Sequence, residues 1–100
     1  IETDLLRAYY KRLTSRDEAT RRVAARAWSR WEGATSKLLV DAGMVRRFGA
    51  SRFAEAFARI EAHYFVNGGF FRRDGELLRN VARIRHIPAV IVQGRYDMVC

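Results

Sequence analysis

Apolar residues recur at helical spacing along most of this chain and then, near residue 89, give way to an unbroken run. Leu5, Leu6, Tyr9, Tyr10 and Leu13 fall three and four positions apart, which is one face of a helix over residues 3–14 that Thr3 or Asp4 can open. Ser15, Arg16, Asp17 and Glu18 form a capping-box pattern, in which the Ser15 hydroxyl accepts from the Glu18 amide while the Glu18 carboxylate reaches back. A second helix is therefore expected from about Arg16 to Ser36. On it Ala19, Val23, Ala27 and Trp31 share one line, with Ala24 and Trp28 beside it and arginines at 21, 22, 26 and 30 on other faces. The two Trp residues thus read first as packing groups.

Residues 37–50 carry Gly43 and Gly49 and no sustained period, so they read as a loop holding at most one short turn of helix. Ser51 can cap a third helix over 52–65, whose aromatic stripe is Phe53, Phe57, Ile60 and Tyr64. The adjacent line is Ala54, Ala58, Glu61 and Phe65: two small residues leave space beside a carboxylate, and space beside a charge is what a ligand needs. Asn67, Gly68 and Gly69 break the helix, Phe70 and Phe71 resume apolar packing, and a short fourth helix is expected from Glu76 to Arg83. After Ile87 and Pro88 the period changes to Ala89, Val90, Ile91 and Val92, ended by Gly94. That pattern marks a central parallel strand buried on both faces. Its amides and carbonyls need neighbours, so the rest of its sheet must come from outside these residues. Unpaired, such a run is an aggregation hazard. The missing initiator Met also suggests an excised segment.

Composition narrows the classes. One hundred residues, 49% of them hydrophobic, can form one small domain at most, and no stretch is apolar enough for a membrane span. Neither is there a basic region followed by an apolar one that would mark a signal peptide. A single Cys permits no internal disulfide, which makes the cytoplasm the default location. The net charge of +8 raises the question of nucleic acid, but the arginines are spread along the chain, as a solvated surface would have them and a phosphate-binding stripe would not. A basic helical module binding nucleic acid is the alternative from another class; it predicts affinity that falls steeply with salt.

Candidate chemistry centres on Asp97, just past the carboxyl end of the expected strand, where open α/β sheets keep their ligands and catalytic groups. There a carboxylate can accept the ring N–H of a His and stabilise its imidazolium; the spacing is equally that of an ordinary turn Asp. No G-x-S-x-G elbow occurs, since Ser15, Ser29, Ser36 and Ser51 lack the flanking glycines. His63 and His86 both precede Asp97, the wrong order for a hydrolase triad of this kind, and read as surface or capping residues. With Cys100 they have no tight ligand spacing, so no metal site is expected.

Three stretches, AWSRWEGATS (27–36), FARIEAHYFVNGGFF (57–71) and IPAVIVQGRYDMVC (87–100), resemble the proline iminopeptidase (prolyl aminopeptidase) family of serine α/β-hydrolases. The resemblance covers essentially the whole chain. It implies an α/β-hydrolase fragment in which residues 1–86 belong to a mostly helical cap domain and 87–100 form one core strand with the loop carrying the triad acid. It further implies a peptide substrate with N-terminal proline, a Ser-Asp-His triad and no cofactor. By the same resemblance Asp97 is the triad acid, Glu32 and Glu61 bind the substrate amine, Phe65 packs on the pyrrolidine ring, and Cys100 lies near the active site. The Ser, the His and the oxyanion-hole residues are missing, so the chain alone is expected to be inactive. The residues themselves leave other readings open: Glu32 and Glu61 as solvated helix carboxylates paired with Arg, Phe65 as core packing, Cys100 as a small buried residue. An α/β-hydrolase of the same architecture acting on esters or epoxides is the runner-up, and it has no use for two amine-binding carboxylates.

Overall fold

In the computed structural model, which describes residues 4–99, five α-helices and two 3-10 turns make up the regular structure. Helix α1 (Leu5–Leu13) opens at Asp4, whose carboxylate accepts the Arg7 amide at 3.1 Å. The second half of its predicted face packs as expected, with Leu13 fully buried and Tyr9 and Tyr10 against the same core, but Leu5 at the start of that face is 70% exposed.

Helix α2 (Glu18–Thr35) departs from the expected start. Asp17, not Ser15, is its cap: the Asp17 carboxylate accepts the Thr20 amide at 2.9 Å, while Ser15 Oγ accepts the Asp17 amide at 3.1 Å. Glu18 turns outward to pair with Arg22 one turn on. A carboxylate at the last extended residue is a stronger acceptor than a hydroxyl two positions earlier, so it takes the orphan amide. Hydrogen bonds from the Thr20 hydroxyl and then its amide hold the Asp17 carboxyl below its usual range.

Residues 37–50 hold more than one turn. Helix α3 (Ala42–Phe48) forms behind Asp41, whose carboxylate accepts the Met44 amide at 3.0 Å. Helix α4 (Ser51–Val66) begins at Ser51 itself, with Ala50 as its flanking residue and no side-chain cap. A 3-10 turn at Gly68–Phe70 follows, with Gly68, Gly69 and Phe70 all at positive φ, and then α5 (Glu76–Asn80) and a second 3-10 turn at Val81–Arg83.

The core is built from small side chains. On α2, Ala24, Ala25, Ser29 and Gly33 are buried; on α4, Ala54, Ala58 and Ala62 are. Ala25, Ser29 and Gly33 repeat every fourth residue, as do the three alanines of α4, so each helix presents a flat stripe on which a neighbouring backbone can approach closely. Ser29 Oγ accordingly reaches the Ala54 carbonyl at 3.2 Å. A Cβ on Gly33 would stand 3.1 Å from Phe48 Cβ and 3.3 Å from Val45 Cα, a close approach that a larger residue could make only if α3 shifted by a few tenths of an ångström.

This corrects two expected faces. The line of Val23 and Trp31 points away from the core, with Val23 72% and Trp31 62% exposed. The aromatic stripe of α4 is not the core face either: Phe53 and Phe57 pack with Phe48 of α3, at ring-centroid distances of 5.2 and 5.4 Å, and Ile60 and Tyr64 are exposed. The alanine line that was expected to leave room for a ligand is instead filled by α2.

The expected strand does not form within the described residues. Ala89–Val92 forms no ladder, and Val90, Ile91 and Val92 are 91%, 88% and 91% exposed. Among the described residues the β-pairing is one isolated antiparallel bridge, Lys37 with Asp97. An extended run cannot satisfy its own amides, and no second strand lies beside it here.

Candidate functional site between two helices

Trp28 and Glu32 stand one turn apart on α2; Glu61 and Phe65 stand one turn apart on α4. The packing of the small-residue stripes sets these two turns against each other. The Trp28 indole N–H donates to Glu61 Oε2 at 2.6 Å, and the Trp28 and Phe65 ring centroids are 6.2 Å apart. Tyr9 from α1 meets the same indole edge-on at 5.5 Å. The structure thus gathers Glu32, Glu61 and Phe65, all three singled out from the sequence, around an indole that the sequence reads first as a packing group.

The electrostatics of the pair are unusual for so basic a chain. Burial, and second the charge of Glu61, push the Glu32 carboxyl above its ordinary value of 4.5. Five ion pairs tie up Asp4, Glu18, Asp41 and Glu55, the last shared by Arg21 and Arg59. Among the described residues Glu32 and Glu61 belong to no ion pair, against the reading of each as a solvated helix carboxylate paired with Arg. Arg21 plays a structural part: besides Glu55 at 3.0 Å it binds the carbonyls of Ser15 and Arg16, fixing the α1–α2 link onto α4. Two neighbouring carboxylates, one half-desolvated, with an aromatic wall beside them, can accept a cationic ligand carrying an apolar body. Phe65, 52% exposed, presents such a wall.

Asp97 lies in a separate stretch. Its amide donates to the Gly94 carbonyl at 3.2 Å, and its carboxylate accepts the Val99 amide at 3.0 Å and the Gln93 side-chain amide at 3.1 Å. The bridge to Lys37 seats it against the residues that follow α2, and a mostly apolar groove runs between segments 36–39 and 94–97. Ser36, at the edge of that groove, donates through its hydroxyl to the Glu32 carbonyl. Cys100 lies outside the described residues. Among those described, no three His, Cys, Asp or Glu side chains converge as metal ligands would, and no helix is long and apolar enough to cross a membrane.

The geometry defines a helical module with a paired-carboxylate site and an apolar tail that carries an Asp beyond it. No family model matches the chain. Among curated proteins it is 60% identical over 97 residues to a probable proline iminopeptidase of Leptolyngbya boryana, and 62% identical over 97 residues to the proline iminopeptidase of Xanthomonas citri. The Arabidopsis thaliana proline iminopeptidase is 51% identical over 98 residues. These alignments take in 97%, 97% and 98% of the chain but 30%, 31% and 26% of the relatives, so the chain spans about a third or less of their length. The chain belongs to the proline iminopeptidase family as a segment of it.

Proposed function

We propose that the chain is the cap-bearing segment of a serine aminopeptidase that releases N-terminal proline from peptides. Residues 1–86 form part of the helical cap, and 87–100 enter an α/β-hydrolase core in which Ala89–Val92 gains strand neighbours from the rest of the enzyme. Glu32 and Glu61 bind the charged amine of the substrate, Phe65 packs on the pyrrolidine ring, and Cys100 lies near the reacting centre. Asp97 accepts the ring N–H of a catalytic His supplied from outside the segment. The His takes the proton of a Ser, also external, as that Ser attacks the prolyl carbonyl, and returns it to the leaving amine. No cofactor takes part. Alone, the segment holds neither nucleophile nor base and is inactive.

One observation carries this reading: two adjacent carboxylates, one of them raised by burial and by the other, are in no ion pair among the described residues of a chain with 19 Lys and Arg. Like charges brought together in a half-buried site are costly unless a cation joins them, and a protonated prolyl nitrogen is such a cation. The test uses the complete enzyme and compares prolyl anilide, its N-acetyl analogue and a simple acyl ester, in wild type and Glu61→Gln. The free-amine anilide should be strongly preferred, and the Gln variant should lose about 100-fold or more of kcat/KM on it, as when one partner of a desolvated charge pair is removed. Equal turnover of the acetylated substrate or the ester by wild type would replace the aminopeptidase reading with an esterase-like one.

A further inference from the structure

We propose that Trp28 is a positioning residue for amine recognition: its indole N–H holds the Glu61 carboxylate beside Glu32. This rests on the reading of Glu32 and Glu61 as the amine-binding pair. The 2.6 Å separation from Nε1 to Glu61 Oε2 is at the short limit for an N–H···O bond, so the two groups are in close contact. The indole is itself fixed, between Tyr9 of α1 and Phe65 of α4. Trp donates but never accepts, so this contact occupies one of the two Glu61 carboxyl oxygens as an acceptor. Among the described residues the other oxygen, Oε1, has no hydrogen-bond partner, which leaves it to the incoming ammonium. Repulsion from Glu32 would otherwise turn the half-buried Glu61 side chain towards water and dissolve the site before substrate arrives. Trp28 thus does for the empty pair what the substrate cation does for the occupied one.

The same ring bridges α1, α2 and α4, so the test must separate the N–H from the packing. In the complete enzyme, Trp28→Phe removes the donor and keeps an aromatic ring. Replacement of Trp28 by its benzothiophene analogue, with sulfur in place of N–H, deletes the donor at constant shape and serves if the Phe variant folds poorly. Rates are measured on prolyl anilide and on cyclopentanecarboxylic anilide, in which carbon replaces the ring nitrogen. Loss of a hydrogen bond to a charged group should raise KM for prolyl anilide about 10- to 100-fold, with kcat little changed and the amine-free anilide unaffected. In a Glu61→Gln background the same replacement should add no further loss. Equal losses on both anilides, or losses that add to those of Glu61→Gln, would make Trp28 a packing residue only and overturn the proposal. If Glu61→Gln itself leaves the preference for the amine intact, the amine-binding reading fails first, and the two failures are told apart.

Discussion

The small-residue stripes where α2 meets α4 and the run Ala89–Val92 are both largely apolar, yet the alanines of one are buried and the other stands almost wholly in solvent. The difference lies in what each needs from elsewhere. A helix satisfies its own backbone, so it forms once a single face finds cover, and α1 and α3 supply that cover within the same chain. A strand satisfies nothing alone, and among the described residues no second strand lies beside Ala89–Val92. The sharpest way to break this contrast is Ile91→Ala. In the complete enzyme the substitution should cost about 2–5 kcal/mol, the range for truncating a buried aliphatic side chain. In the 100-residue chain it should change stability by no more than about 0.5 kcal/mol. Urea midpoints for both proteins decide the matter: a loss below that limit in the complete enzyme would remove Ala89–Val92 from its core.

The converse holds for Ala58. Buried between α2 and α4, it has no free volume to receive a larger side chain. Ala58→Leu should therefore cost about 1–3 kcal/mol in the short chain and the complete enzyme alike. Loss of helical circular dichroism at lower temperature would report it in the short chain. A penalty seen only in the complete enzyme would mean that the α2–α4 contact is made by the absent core and not by the helices themselves.

Much of this was legible from the residues. The 3.6-residue period placed α1, α2 and α4 within one or two positions, because those helices carry amphipathic patterns with breakers between them, whereas α5 ends at Asn80, three residues before the expected Arg83, where a 3-10 turn takes over. The core face of α2 was misread because large residues drew attention from small ones: Val23 and Trp31 are conspicuous, whereas Ala25, Ser29 and Gly33 reveal an interface only when their spacing of four is set beside that of Ala54, Ala58 and Ala62. Helix α3 was missed because seven residues with a Gly near the start show no period, although Asp41 followed by Met44 is a fair capping signal. Neither Glu32 nor Glu61 has a basic residue three or four positions away, a sequence signal against pairing along its own helix. No local pattern could show that Trp28, 33 positions from Glu61, donates to it. That contact depends on how two helices meet.

The smallest effect expected concerns Glu32 and links the helical interface to its chemistry. Its carboxyl sits above 4.5 because burial and then Glu61 disfavour the charge. The folded state therefore holds the proton more tightly than the unfolded chain does. Stability from this group is present below the unfolded value and is lost as pH rises through the folded one. Ionised Glu32 should therefore destabilise the fold at neutral pH. Glu32→Gln should raise the melting temperature at pH 7, and the gain should shrink as pH falls below the ordinary Glu range. The same variant of the complete enzyme should lose its preference for the free amine. Thermal melts at several pH values, paired with rates on prolyl anilide, measure both. A Gln variant that is less stable at pH 7 would mean that the carboxylate helps hold α2 to α4. A stabilised but inactive variant would mark Glu32 as a residue kept for the ligand at the expense of the helix pair that carries it.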